Sequence, residues 1–299
     1  MTVDFVPNMS YSSACLINSC ERKYWLTKVA KVPIDTDCKE DSEPFLYGNV
    51  YHTILENVKH RRVPDLREQV IKFARARDMT REQIFKVYAM VSRYLTARED
   101  TGLQEKVGEL RFQTKDYIGF IDSIITDAAG VNWWILDLKT STQIGKALGA
   151  RVHRDLQLNF YASFVPMLCQ DLKLEEKNFR GVRYSICTRP QAKPKKTETM
   201  KEFALRAKVN YDEYVVDAKD LRTDIASKFL ETARKKQLEL FELKDIEQTT
   251  PNFTSCESYF KPCSYWSRCY GKNVTDVEPF AKSIFPKPIP EIRPEEDDF

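Results

Sequence analysis

Four clusters of polar residues stand inside segments that are otherwise strongly patterned: Gly48, His52 and Glu56; Gly119 and Asp122; Asp137-Leu138-Lys139; and Gln157 with Tyr161. An imidazole, two carboxylates and an ammonium gathered at one place would hold a hard divalent cation, Mg²⁺ or Mn²⁺, beside a positive side chain. That is the equipment of metal-assisted phosphodiester hydrolysis. The reaction needs an activated water, stabilisation of the charge that builds on a phosphorane-like transition state, and relief for the departing oxygen. On this reading His52, Asp122 and Asp137, with the Leu138 carbonyl, hold the metal. Lys139 orients or deprotonates water and steadies the scissile phosphate. Gln157 and Tyr161 position that water or the DNA backbone, Glu56 orients His52 from behind, and Glu109 is a further carboxylate on the first strand.

These side chains need particular elements to bring them together. Gly48, His52 and Glu56 recur every fourth residue, so a helix over 45–60 sets them on one face. Asp137 follows the apolar run 131–136, and in a strand positions two apart share a face. Asp137 and Lys139 therefore point into one cleft while Leu138 packs behind them. Strands over 107–112, 117–126 and 131–138, the last two joined by Asp127-Ala128-Ala129-Gly130, make a small antiparallel meander. That pairing brings Asp122 near Asp137, where two carboxylates call for a compensating charge. A helix over 155–168 puts Gln157 and Tyr161 on one side, and a further strand covers 180–187.

The rest of the chain frames this core. Helical periodicity over 65–98 gives two structural helices, the second opened by a Thr80–Gln83 capping box. A long helix fits 218–244, and the basic stretch 21–26 reads as helical. Segment 33–44 reads as an acidic loop, and 189–201, with Lys193, Lys195, Lys196 and Lys201, as a mobile one. The expected organisation is α/β: one domain over 1–285 with a helical insertion at about 61–104, then a Pro-rich acidic tail over 286–299.

The 299 residues carry a net charge of only +3, so an acidic partner such as DNA must be met by a local basic face and by metal rather than by a bulk field. Arg151, His153 and Arg154 before the fourth cluster, and the lysines of 193–201, are the candidates for phosphate contact, with solvated surface charge as the alternative. No apolar run approaches the roughly 20 residues of a membrane span, and the start lacks a signal core. No membrane partner is expected, and the expected location is the cytoplasm of a prokaryote or a phage-infected host. There is no phosphate-loop motif, so any unwinding would come from a partner helicase.

Eight cysteines in an intracellular chain argue against a disulfide framework. Cys256, Cys263 and Cys269 crowd the C-terminal part, while Cys15 and Cys20 lie near the other end. Thiolates suit zinc and iron alike, so zinc, an iron–sulfur cluster and plain thiols all stay open on ligand type. Cys38, Cys169 and Cys187 read as free thiols.

Taken together the clusters resemble a known family. Gly48-Asn49-Val50-Tyr51-His52-Thr53-Ile54-Leu55-Glu56 resembles the first motif of the RecB-like nucleases of the PD-(D/E)XK superfamily. Ile118-Gly119-Phe120-Ile121-Asp122 resembles the second, Ile135-Leu136-Asp137-Leu138-Lys139-Thr140-Ser141 the third and Gln157-Leu158-Asn159-Phe160-Tyr161-Ala162 the fourth. In the third motif Asp137 stands where many relatives carry Glu. The resemblance implies a restriction-endonuclease-like core, a central mixed sheet flanked by helices. It also implies metal ligation by His52, Asp122 and Asp137, catalysis by Lys139, and a contribution from Gln157 and Tyr161.

One branch of these nucleases, including the nuclease subunit of AddAB helicases and CRISPR-associated spacer-acquisition nucleases, holds a 4Fe-4S cluster. Its ligands are one cysteine before the first motif and three near the C-terminus. The surroundings of Cys20 and of the Cys263–Cys269 pair are similar to theirs, which implies the ligand set Cys20, Cys256, Cys263 and Cys269, with Cys15 in reserve. Spacing departs from the branch at Cys256, where a C-x6-C-x5-C run replaces a tight pair. Such a cluster would staple segments 11–29 and 253–272 across the nuclease core. A strand threaded through that ring favours processing from an end, hence an exonuclease for single-stranded or end-exposed DNA in recombination, repair or phage replication. Two other readings are a spacer-acquisition nuclease working with a partner integrase, and an inactive nuclease fold that binds DNA or inhibits.

Overall fold

The computed structural model describes residues 6–33, 43–60, 65–144, 146–255, 257–258, 261–265 and 269. Contacts divide the chain into two compact units, one of Met1–Asn18 with Asp41–Glu242, the other of Ser19–Glu40 with Leu243–Phe299.

In chain order the helices are α1 (Tyr11–Ser19), α2 (Glu21–Tyr24), α3 (Glu43–His60), α4 (Leu66–Arg75), α5 (Arg81–Asp100), α6 (Lys146–Val152), α7 (Leu156–Ala162), α8 (Val165–Leu172), α9 (Met200–Arg206) and α10 (Thr223–Glu242). The strands are β1 (Gln104–Val107), β2 (Leu110–Gln113), β3 (Ile118–Ile121), β4 (Ser123–Thr126), β5 (Trp133–Ser141), β6 (Phe179–Thr188), β7 (Tyr211–Asp217), β8 (Glu257–Ser258) and β9 (Lys261–Pro262).

The first unit is built on a five-stranded sheet in the order β1-β4-β5-β6-β7. Strands β5 and β6 run parallel and every other neighbouring pair is antiparallel. The parallel pair requires a crossover, and α6, α7 and α8 supply it. Helices cover both faces. Helix α3 packs on β5, α4 and α5, with α9 against α5, and there Leu136 and Leu138 join Tyr51, Ile54, Met90 and Tyr94 in one apolar core. On the opposite face α7 packs against β5, β6 and α10. Double coverage explains why β5 reads as a nearly unbroken apolar run, and it makes the buried Asp137 within that run conspicuous.

Local chemistry sets the helix starts. Thr80 and Gln83 form the expected reciprocal box at α5, and Asp155 accepts from the Gln157 N–H at the start of α7; each cap contributes about 1 kcal/mol.

Several boundaries differ from the sequence reading. The strand expected over 117–126 is broken at Asp122 into β3 and β4, which belong to different sheets, and the strand expected over 107–112 is likewise split into β1 and β2. Hairpin β2–β3 leaves the main sheet with Phe112 lying over Gly119, where an added Cβ would overlap the ring. The helix expected over 155–168 is two helices, because Pro166 in the first turn of α8 has no N–H to give the Ala162 carbonyl and its ring would clash there.

Helix α9 and strand β7 had not been anticipated. Thr199 and Glu202 cap α9, whose Met200 and Phe203 are buried. Segment 189–201, expected to be a mobile loop, is pinned and runs into α9 at Met200: Arg81 donates to the Lys195 and Lys196 carbonyls, and Arg206 to that of Lys193. Helix α10 starts at Thr223, after a short 3-10 turn over Ala218–Asp220. The loop expected over 33–44 lies largely outside the described residues, as does the tail over 286–299.

The second unit joins the two ends of the polypeptide. The half-turns after Cys20 run from α2 into a π-helical turn, Trp25–Val29, while β8 and β9 pair as a short ribbon. Arg22, only 9% exposed, donates to the Thr249 side chain and carbonyl at 3.1 and 3.3 Å. Asn252 and Ser255 both donate to the Ser19 carbonyl, and the Tyr265 hydroxyl to that of Val32.

Candidate active site

The end of β5 and the break after β3 create the site. Beyond the last β4–β5 pair, Ser123 with Leu136, β5 loses its partner on that edge while it stays paired with β6 on the other. The Leu138 N–H is taken instead by the Asp122 carboxylate at 2.7 Å, and the other Asp122 oxygen lies 3.2 Å from His52 Nδ1 on α3. Asp137, 2% exposed, faces away from the Leu136–Leu138 core. Lys139 Nζ stands 2.9 and 2.8 Å from its two oxygens. Only Oδ1 receives a well-directed hydrogen bond, leaving the buried Oδ2 with none. From α7, Gln157 donates to the Tyr161 hydroxyl at 2.7 Å, and that tyrosine is near enough to feel the charges of Asp137 and Lys139.

The sequence candidates thus fall into three groups. His52 pairs with Asp122, Asp137 with Lys139 and Gln157 with Tyr161, and Asp122, Asp137, Lys139 and Tyr161 feel one another's charge. Glu56 and Glu109 share a hydrogen bond with each other and, with His52, Asp122 and Leu138, line a recess of ≈ 20 Å³. Arg151 and Arg154 border a separate open cleft of ≈ 700 Å³ that has Lys139 in its wall. Lys193, Lys195 and Lys196 are exposed and line neither cavity.

The two aspartates occupy opposite electrostatic environments. Burial pushes the Asp137 carboxyl up to about 6, the Asp122 charge adding to this while Lys139 pulls the other way. Burial also acts on Asp122, but the His52 hydrogen bond, the His52 and Lys139 charges and the Leu138 N–H outweigh it and hold that carboxyl below its usual range. At Lys139 burial favours the neutral amine, yet Asp137 and Asp122 win and keep it an ammonium. Glu109 is raised by burial and by its neighbour Glu56. One carboxylate is therefore stably charged and the other strained, which is the condition a cation relieves.

Among the described residues no three His, Cys, Asp or Glu side chains already form a cage. The reason is visible in the pairing: Asp122 is engaged by His52 and Leu138, and Asp137 by Lys139. The donor set nevertheless fits a hard cation. Oxygen ligands and an imidazole are its chemistry, Asp137 Oδ2 is a buried acceptor without a hydrogen bond, and the recess beside Asp122 is large enough for a water-sized occupant.

Cys20 is nearly buried and its sulfur accepts from the Lys23 N–H at the start of α2. Cys263 and Cys269 lie on the C-terminal part of the same unit, and no disulfide joins the described cysteines. Cys256 and Cys38 are outside the described residues. Thiolate chemistry fits an iron–sulfur cluster or zinc, but the described cysteines do not by themselves make a ligand group of three.

Two lining residues of the larger cleft, Tyr11 and Tyr184, had not been picked out as functional. Tyr184 lies opposite Asp137 in the parallel β5–β6 register. The alternation of Val182, Tyr184 and Ile186 marks a strand, but nothing local marks which strand it joins.

A mixed sheet covered by helices on both faces, with paired carboxylates and a lysine at the end of a central strand, fits a restriction-endonuclease-like fold. Residues 8–270 match the PD-(D/E)XK nuclease superfamily, and the chain belongs to that superfamily. Its members are phosphodiester hydrolases that generally use Mg²⁺ or Mn²⁺ and act on DNA. No curated protein matches the chain. Among the described residues no helix is long and apolar enough to cross a membrane.

Proposed function

We propose that this chain is a Mg²⁺- or Mn²⁺-dependent deoxyribonuclease of the RecB-like branch, an exonuclease acting on single-stranded or end-exposed DNA. The observation that carries the reading is the pairing of Asp137 with Lys139 within electrostatic reach of Asp122, itself paired with His52. His52, Asp122, Asp137 and the Leu138 carbonyl would hold the cation, which when bound supplies Lewis acidity and a nucleophilic water.

The chain's own residues do the remaining work. Lys139, kept positive by its carboxylate neighbours, steadies charge on the scissile phosphate, a role its protonation favours over abstracting a proton. Tyr161, held by Gln157, offers a hydroxyl to the attacking water or to a phosphate oxygen. Glu56 and Glu109, sharing a hydrogen bond, bound the recess next to His52 and limit how the imidazole can turn. The intact Asp122, Asp137 and Lys139 set speaks against an inactive fold.

The second unit supports the cluster proposal. It gathers both terminal segments, with Cys20 on one and Cys263 and Cys269 on the other, so a 4Fe-4S cluster on Cys20, Cys256, Cys263 and Cys269 would staple segments that flank the nuclease core in sequence. The setting we propose is cytoplasmic, in recombination, repair or phage replication, with a helicase partner supplying any unwinding.

End-labelled single- and double-stranded DNA incubated with Mg²⁺ or Mn²⁺ tests the activity. The native chain should release nucleotides from ends, and chelation or Lys139→Ala should stop it. Equal digestion by native and variant protein would remove Lys139 from the mechanism, and closed circular DNA cut as readily as linear would remove the exonuclease assignment.

A further inference from the structure

Resting on the nuclease reading, we infer that the open cleft beside Lys139 is a subsite for one unpaired nucleotide, its base laid against the Tyr184 ring and its phosphate flanked by Arg151 and Arg154. The cleft measures ≈ 700 Å³, within the range of about 300–1,000 Å³ typical of small-ligand sites and far from the groove a duplex would occupy.

Its walls have the mixed chemistry of a nucleotide. Apolar surface comes from Leu148, Val152, Leu156 and Ile186, and two half-buried aromatic rings from Tyr11 and Tyr184. The exposed guanidinium groups of Arg151 and Arg154 stand on the same rim. The one carboxylate in the lining, Asp155, is committed to the α7 N-terminus, where it accepts from the Gln157 N–H at 2.8 Å. The anion-facing side of the cleft is therefore positive.

Position ties the cleft to the chemistry. In the β5–β6 register Tyr184 pairs with Asp137 and Ile186 with Lys139, and Lys139 Nζ is 6.0 Å from the Tyr184 ring centroid. The ring and the proposed catalytic ammonium are immediate neighbours. Tyr11 is braced by Phe160, stacked at 6.2 Å with 24° between the planes, so the far wall is fixed before a ligand arrives. A base and its own phosphate are separated by a single sugar, so a base on Tyr184 leaves one flanking phosphate beside Lys139 and the next beside the arginines. In a duplex the base faces are hidden by their stacked neighbours, and only an unpaired or frayed nucleotide can present one to Tyr184.

The test uses the full-length protein in EDTA, so that nothing is cut, with fluorescein-labelled oligothymidine and a blunt hairpin duplex as probes in anisotropy titrations. The strand should bind more tightly than the duplex. Tyr184→Leu should weaken strand binding about 5- to 150-fold, the range for one lost base–aromatic stack, while Tyr184→Trp retains it. A single abasic nucleotide at the seated position should reproduce the loss in native protein and add nothing in Tyr184→Leu. The solvent-exposed change Arg154→Ala should lower the slope of log K against log[salt] by about one. Native-like strand affinity in folded Tyr184→Leu, or indifference to the abasic position, overturns the subsite. If these binding differences hold while Mn²⁺ elicits no cleavage of any DNA, the subsite stands and the nuclease reading fails. If linear duplex and single strand are bound and cut alike, the nuclease reading stands and the subsite fails.

Discussion

The nuclease unit and the cysteine-bearing unit are assembled by opposite means. In the first, the proposed chemistry rests on four side chains delivered by helix α3, strand β5 and the break between β3 and β4, held by contacts 2.8 to 3.2 Å long around a doubly covered sheet. In the second, the two ends of the chain are held by hydrogen bonds between sequence-distant segments, Arg22 to Thr249, Asn252 to Ser19 and Tyr265 to Val32, over 200 residues apart. Local periodicity builds one and chain closure builds the other. Chemistry and stability should therefore separate: removing a charged side chain of the proposed site should abolish activity and leave the fold, and damage to the second unit should do the reverse.

The largest expected effect tests the first half of that contrast. Lys139→Ala should lower kcat by about 10²- to 10⁴-fold, the scale for losing a positioned charge or proton-transfer group, with an unchanged circular dichroism spectrum. Next comes the cysteine unit. Cys263→Ser in anaerobically prepared protein should cost several kcal/mol and on the order of 10 °C in Tm, because ligand loss is folding free energy. Whatever stays folded should keep metal-dependent cleavage, and a variant that melts normally but cannot cleave would invert the contrast.

A smaller effect depends on pH. The Asp137 carboxyl titrates at about 6 in the fold against 3.8 for an unperturbed aspartate, so its charged form is disfavoured there. Stability attributable to this group is full below its unfolded value and is lost as pH rises through about 6. Between pH 4 and pH 7 the metal-free native protein should therefore lose about 1–3 kcal/mol more stability than Asp137→Asn does, as followed by urea denaturation. A pH-independent difference would contradict the buried-charge origin. Smaller still, Thr80→Ala should cost about 1 kcal/mol through the lost α5 cap and leave cleavage untouched.

The spacing of Gly48, His52 and Glu56 made one helix face legible, and the aspartates in successive strand patterns made their approach legible, because both depend on periods of a few residues. The break at Asp122 was not. It arises from a side chain taking the Leu138 N–H and from Phe112 closing over Gly119, contacts that no residue periodicity signals. The parallel β5–β6 pairing, and with it the place of Tyr184 beside Lys139, depends on a crossover of nearly forty residues whose outcome no local pattern encodes. Helix α9 carried its signal in plain sight, Thr199 followed three residues later by Glu202, but lysine-rich composition masked it.

Binding of Mn²⁺ to the full-length protein, followed by electron paramagnetic resonance, tests the shared cation most directly when the native chain, Asp122→Asn and Lys139→Ala are compared. The expected result is saturable binding in the native chain, weakened at least about tenfold by Asp122→Asn and preserved in Lys139→Ala. Native affinity in folded Asp122→Asn would contradict a metal held between His52, Asp122 and Asp137.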